Sequence, residues 1–324
     1  MIECINLIKT YKIRKRDAGL HNAIRSLFSY EYEIIKALQG ISFSVTDGEI
    51  VGYIGPNGAG KSTTIKTMCG ILTPDEGSCI VNGRIPWKER KEYVREIGVV
   101  FGQRSQLWWD VPVIDSFELL KNMYRVENRD YKRNLEELVC LLELKEILKT
   151  PTRNLSLGQR MRCEIAASLL HNPKVLFLDE PTIGLDAISK INVRNFIKKI
   201  NEEHGTTVIL TTHDMQDIEE LTDRILLIGK GKILLDGNLE SLKKHISTKK
   251  TIEIKFKGKQ PQMIDGITLM KVKEGQLRVS VDPDILPVSE AIMYLSSQTE
   301  IIDLSVSSIS AEEMAARLYK EYQL

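Results

Sequence analysis

Residues 55–63 read GPNGAGKST, directly after the apolar run "IVGYI" (50–54) and at the start of a stretch with helical character, "STTIKTMCGIL" (62–72). Gly55, Gly60, Lys61 and Ser62 satisfy the pattern G-x-x-x-x-G-K-[ST]. Glycines at these places let the backbone curl until successive N–H groups face one anionic centre. A helix opening here adds the partial positive charge of its N-terminus. Pro56, Asn57, Gly58 and Ala59 form the body of the loop. Lys61 supplies a point charge for β- and γ-phosphates, and the Ser62 hydroxyl, followed by Thr63, a ligand for Mg2+. A chance match is the alternative, and the preceding strand and following helix argue against it.

A phosphate loop needs a second carboxylate for its metal. "VLFLDEPT" (175–182) offers Asp179 at the end of an apolar strand, and Glu180 next to it as a general base for an attacking water. A buried strand running into two acids implies a cationic or protic partner for them. The alternative is a pair of acids capping a helix. His213 follows another apolar run, "TTVILTT" (206–212). Ligands of open α/β sheets gather beyond the carboxyl ends of strands, so His213 reads as a γ-phosphate sensor. His21, His171, His204 and His245 lack that setting and read as surface or structural.

Around these motifs, residues 1–240 read as one domain and 251–324 as another. "ISFSV" and "IVGYI" flank "TDGE", and the Asp47-Gly48 turn predicts a hairpin between them. From 113 to 150 apolar residues recur at helical spacing. Thereafter apolar runs alternate with helical patterns, which predicts a parallel sheet covered on both faces. Residues 251–324 predict a small α+β unit whose last helix is opened by a Ser310–Glu313 capping box.

Composition sets bounds. The 324 residues, 42% hydrophobic and 27% charged, suit two globular domains. A net charge of +1 does not suggest a nucleic acid as main partner. The five cysteines have no C-x-x-C spacing, so they read as small buried hydrophobes in a reducing compartment, not as a zinc site or disulfide framework. No leader-like apolar segment and no run of about 18 apolar residues is present, so neither a signal peptide nor a membrane span is expected.

The order of these elements, with "LSLGQRMRCEIAASLLHNPKVLFLDEPTIGLD" (155–186), resembles the ATPase subunit of ATP-binding cassette transporters over about residues 1–240. The resemblance implies an α/β P-loop NTPase core with a helical subdomain near 104–165 and an antiparallel β subdomain, beside the C-terminal α+β domain. It implies ATP and Mg2+ as cofactors. Ser156, Gly158 and Gln159 match the signature motif, which caps nucleotide bound to a second copy in a head-to-tail homodimer. Gln103 matches the glutamine that senses Mg2+ and the γ-phosphate, Asp186 the D-loop, His213 the switch histidine, and Tyr11 the aromatic that stacks on adenine. Tyr30 and Tyr32 are alternatives to Tyr11, because an insertion over 12–35 separates Tyr11 from the phosphate loop. Leu157 departs from the glycine usual in the signature.

Partners implied are transmembrane permease subunits, which would hold the chain on the cytoplasmic face of the cell membrane. The wording "GQRSQLWWD" and "TIGLD" is most similar to exporter-type (ABC-2) ATPases, among them drug and toxic-cation efflux systems. Leu107, Trp108 and Trp109 are then expected to form an apolar cleft for a helix of the permease, the alternative being rings packed into the helical block. The insertion is basic ("KIRKR") and then amphipathic, with Leu20, Ile24, Leu27 and Phe28 at helical spacing. It reads either as a contact with anionic lipid or permease, or as a solvated excursion. The C-terminal unit reads as a dimer contact, with regulation and ligand binding as alternatives. The rival function is a cassette protein of translation or DNA repair. Such proteins usually carry two cassettes or a long coiled coil. One phosphate loop, no long heptad run and no basic excess argue against it.

Overall fold

The computed structural model describes residues 1–14, 32–102, 104–212, 214–246, 249–273, 275–308 and 311–321. The chain divides into two units, Met1–Asp236 and Gly237–Leu324.

In the first unit, β1 (Ile2–Arg14) and β2 (Tyr32–Val45) pair antiparallel from Ile2↔Val45 to Arg14↔Tyr32. Along β2, Ile41, Phe43 and Val45 face the core while Ser42 and Ser44 face water, the alternation of a sheet with one wet face. The paired strands extend through 12–14 and 32–35, so the described ends of the expected insertion are antiparallel ladder. Residues 15–31, with Leu20, His21, Ile24, Leu27, Phe28 and Tyr30, lie outside the described residues.

β3 (Ile50–Ile54) is buried along almost its whole length. β4 (Glu76–Val81) pairs with the other side of β1, giving a three-stranded antiparallel sheet. β5 (Ile97–Phe101), β6 (Val175–Asp179), β7 (Thr207–Thr211), β8 (Arg224–Gly229) and β9 (Lys232–Asn238) join β3 in a second sheet, ordered β5-β6-β7-β3-β8-β9. Its five strands from β5 to β8 pair in parallel. They are apolar runs buried on both faces, as the sequence pattern predicts.

The expected hairpin at Asp47-Gly48 does not form. β2 pairs with β1, whereas β3 lies between β7 and β8, so the turn passes the chain from one sheet to the other. Both edges of β3 are taken by parallel neighbours, and none is left for β2. The turn chemistry was read correctly and the pairing was not.

The helical stretch holds Val113–Tyr124 and Asn128–Leu141, and the helix Leu157–Leu169 follows it. Four cysteines are buried, as expected of small hydrophobes, but Cys140 is exposed.

The second unit orders its antiparallel strands β11 (Ile267–Lys273), β12 (Gln276–Val281), β10 (Lys250–Lys257) and β13 (Glu300–Ser307). Ile252, Ile254, Val279 and Val281 face Ala291 and Leu295 of the helix Val288–Gln298. Helices Leu239–Ile246 and Ala311–Glu321 belong to the same unit. Ser310 and the side chain of Glu313 lie outside the described residues, as does the side chain of His245. Among the described residues no helix is long and apolar enough to cross a membrane.

Candidate functional site

The phosphate loop leaves β3 and is held against two other elements. A Cβ on Gly55 would lie 2.2 Å from the carbonyl oxygen of Ile228, at the end of β8. Gly60, the helix N-cap, sits at φ 113°, and a Cβ there would come within 2.7 Å of the Ala37 oxygen. These are the places where the loop admits only glycine. Ala59 and Gly231 are tied by a bond from the Gly231 amide to the Ala59 oxygen (2.9 Å), so the turn between β8 and β9 braces the loop. Pro56 is half-buried, Asn57, Gly58 and Ser62 are exposed, and Thr63 is half-buried at the helix start.

Lys61 opens the helix Lys61–Met68 and is buried. Its Nζ donates to the oxygens of Gly55 (2.6 Å) and Pro56 (3.1 Å). Burial lowers its pKa, and the carboxylates of Glu180 and Asp179 oppose that shift. The lysine and both acids therefore share one electrostatic site, although they are far apart in the chain.

Asp179 is the last residue of β6, opposite Thr211 of β7. The buried Thr211 hydroxyl donates to Asp179 Oδ1 (2.6 Å) and accepts from the Glu180 amide (3.2 Å), while that amide also donates to the Thr211 oxygen (3.0 Å). Glu180 sits at φ 58°, a left-handed conformation uncommon for a non-glycine residue. A Cβ on Gly102 would lie 2.4 Å from the Glu180 oxygen, and the Gly102 amide donates to the Asp179 oxygen (2.8 Å). The chain entering position 103 is thus packed on the acidic turn. Gln103 and His213 themselves lie outside the described residues. Thr211 and Gly102 are the residues that the sequence reading missed, since neither carries a motif letter.

Ser156 caps the helix Leu157–Leu169 through a full capping box: the Gln159 amide donates to Ser156 Oγ (3.2 Å) and the Ser156 amide to Gln159 Oε1 (2.9 Å). Asp186 caps the helix Ala187–His204, accepting from the Ser189 amide (2.8 Å) and hydroxyl (3.0 Å), which lower its pKa. A Cβ on Gly158 would meet Ser189 Oγ at 2.6 Å, and one on Gly184 would meet Leu157 Cδ2 at 2.8 Å. The signature tip and the D-loop therefore lie against each other. Leu157 seats over Gly184 while staying partly exposed. Ile183, Ile188 and Ile191 are also exposed around these tips.

Tyr11 is half-exposed on β1 opposite Ile35, and Tyr32 is exposed. Trp108 and Trp109 are 41% and 51% exposed, but Leu107 is only 5% exposed, so it belongs to the core and not to a surface cleft. Arg160 of the signature helix lies over the Trp109 ring at 5.8 Å. The loop carrying the tryptophans is fastened to that helix through Glu164. This buried carboxylate accepts from the Ser105 hydroxyl and the Gln106 amide (3.1 Å), and Gln106 Nε2 donates to the Glu164 oxygen (2.9 Å). Burial raises the Glu164 pKa and these bonds oppose the rise.

His171 and His204, the two further histidines whose side chains are described, have local partners. His171 Nε2 donates to the Ile97 oxygen (2.8 Å) and its ring stacks on Tyr124, and His204 meets Glu137 (2.8 Å).

The chain is similar to known proteins. Residues 38–183 match the family described as ABC transporter. "ABC transporter ATP-binding protein NatA" of Bacillus subtilis (strain 168) is 30% identical over 215 residues, which are 66% of this chain and 87% of NatA. "Linearmycin resistance ATP-binding protein LnrL" of the same organism is 29% identical over 280 residues, 85% of this chain and 89% of LnrL. The solved dimeric structure of MJ0796, a bacterial ABC transporter cassette, superposes with a TM-score of 0.61 at 29% identity, over 74% of this chain and 99% of the cassette. The phosphate loop, the paired acids and the facing signature and D-loop tips stand on a fold similar to that of the MJ0796 cassette, and the chain belongs to the ABC transporter family as an ATP-binding, ATP-hydrolysing component.

Proposed function

We propose that this ATPase acts as a head-to-tail pair of identical chains that powers export through separate membrane-spanning permease subunits, on the cytoplasmic face of the membrane. The observation that carries the reading is the convergence of Lys61, Asp179 and Glu180 on one site, while Ser156 and Asp186 cap two helices that meet where Gly158 faces Ser189. A serine hydroxyl and amides at a helix start suit a phosphate, and a second copy brings that tip to the loop of the first. The exposed Leu157, Ile183, Ile188 and Ile191 would be covered by such pairing.

ATP would lie along residues 55–63, with Tyr11 or Tyr32 beside its base. Ser62 and Asp179, with Gln103, are hard oxygen donors of the kind that hold Mg2+, which when bound neutralises phosphate charge. Lys61 orients the phosphates, and Glu180 takes the proton of the attacking water. His213, following the buried end of β7, is the expected γ-phosphate sensor.

Trp108 and Trp109 are the proposed permease contact, now without Leu107. Export is favoured by the likeness to the linearmycin resistance protein. That alignment covers 85% of the chain, more than the first unit's 236 of 324 residues, so the second unit is part of the likeness; dimer contact is its proposed role.

The test is Glu180→Gln. Loss of the base should slow hydrolysis by about 10²–10⁴-fold while ATP binding persists, and sedimentation with ATP should show a trapped dimer. Hydrolysis at the wild-type rate would remove Glu180 from the base role, and a monomer at saturating ATP would remove the paired arrangement.

A further inference from the structure

Among the described residues of the first unit, the least exposed ion pair joins Arg194 (3% exposed) and Asp217 (0% exposed). Arg194 projects from the helix Ala187–His204, the one capped by Asp186, and its Nε donates to Asp217 Oδ1 at 2.6 Å. The second oxygen of Asp217 accepts from two hydroxyls: Thr182, two residues after Glu180, and Thr212 (2.8 Å), the residue before position 213. On the far side of that position, Asp214 accepts from Lys190 (2.5 Å) and lies 3.5 Å from Arg194, both on the same helix.

One buried carboxylate thus gathers three segments: the turn that follows the paired acids, the end of β7, and the D-loop helix. Removing ions from water is costly, and a hydrophobic pair of similar volume often serves stability as well or better. Stability alone is therefore a weak reason for charges here. What the ion pair adds is direction, because a guanidinium and two hydroxyls fix the carboxylate's orientation, and the carboxylate fixes the hydroxyls.

We infer that Arg194 and Asp217 are positioning residues for hydrolysis, holding the segments that carry Glu180 and His213 in register with the D-loop helix. The inference rests on the ATPase reading and goes beyond it, since neither residue belongs to a nucleotide motif. Among the described residues the phosphate loop shares no member of this network, so ATP affinity and turnover should separate.

The experiment measures kcat, KM for ATP, nucleotide affinity and Tm for wild type, Arg194→Met, Arg194→Lys and Thr182→Val in the full chain. Arg194→Met is expected to lower kcat by about tenfold or more while ATP affinity stays within about twofold, with Arg194→Lys recovering part of the loss. A wild-type kcat in Arg194→Met, or kcat and ATP affinity falling together with the folded fraction, overturns the inference. Where Arg194→Met does not fold, Thr182→Val decides, because it removes one hydroxyl and keeps the charge pair: a kcat reduced about threefold or more at unchanged affinity supports the positioning role, and an unchanged kcat overturns it. Wild-type protein that binds ATP without hydrolysing it would overturn the underlying ATPase reading instead.

Discussion

Replacing Thr211 with valine removes one hydroxyl and almost no volume. The branched side chain keeps its fit to the strand. The backbone bond from the Glu180 amide to the Thr211 oxygen (3.0 Å) is untouched, so the turn after β6 should persist. What is lost is the donor at 2.6 Å to Asp179 Oδ1 and the second acceptor for the Glu180 amide. A hydrogen bond to an ionised group contributes about 1.5–3 kcal/mol. If that bond steadies Asp179 equally along the reaction, the loss appears in stability alone. If it steadies the acid chiefly in the transition state, the same energy appears as a fall of about 10- to 150-fold in kcat/KM, at about 1.4 kcal/mol per tenfold. ATPase rates should be titrated with Mg2+ at saturating ATP, beside urea unfolding of both proteins. The expectation is a reduced rate and a higher Mg2+ requirement. Unchanged rate and Mg2+ dependence would refute the claim that Thr211 orients the acid, and lost stability without lost rate would confine it to folding.

Two further predictions concern other parts of the first unit. Trp108→Ala combined with Trp109→Ala should sharply weaken co-purification with the permease subunits, and retained co-purification would assign both rings to packing against Arg160 and its helix. Burial lowers the His171 pKa from 6.5 to about 4, against the opposing bond to the Ile97 oxygen. The unfolded chain therefore takes up this proton first as pH falls. The stability from His171 is full above about pH 6.5 and lost as pH falls toward 4, by about 3 kcal/mol. His171→Phe keeps a ring against Tyr124 and should flatten the decline of urea midpoints over that window, whereas parallel curves would show that the titrating group lies elsewhere.

Much of this site was legible because its chemistry is local. A glycine-rich curl, a lysine and a helix start sit within nine residues, and Asp179 with Glu180 announces itself at the end of an apolar run. The strand pattern was equally readable wherever strands were buried on both faces. Pairing was not local. The Asp47-Gly48 turn has hairpin residues, yet the neighbours of β3 come from 207–211 and 224–229, and no short window contains them. Leu107 looked like part of an exposed aromatic group because adjacency in sequence hides direction, and only one of the three side chains turns inward. Thr211, Gly102 and the Arg194–Asp217 pair were invisible for a related reason. Their roles arise from what lies opposite them, and threonine or arginine in a helix or strand is unremarkable alone.

The Glu164 clasp has a mechanical corollary. It grips the stretch 105–107 eight positions along the helix from Ser156, about 12 Å at the usual rise per residue. A hydrogen-bonded helix is stiff along its axis, so under the proposed docking a push on the indole rings would be carried along it toward the serine tip. In the pair of chains proposed above, whatever leans on the tryptophans would have a lever on the nucleotide of the other copy, and the fulcrum would be a single carboxylate that water scarcely reaches.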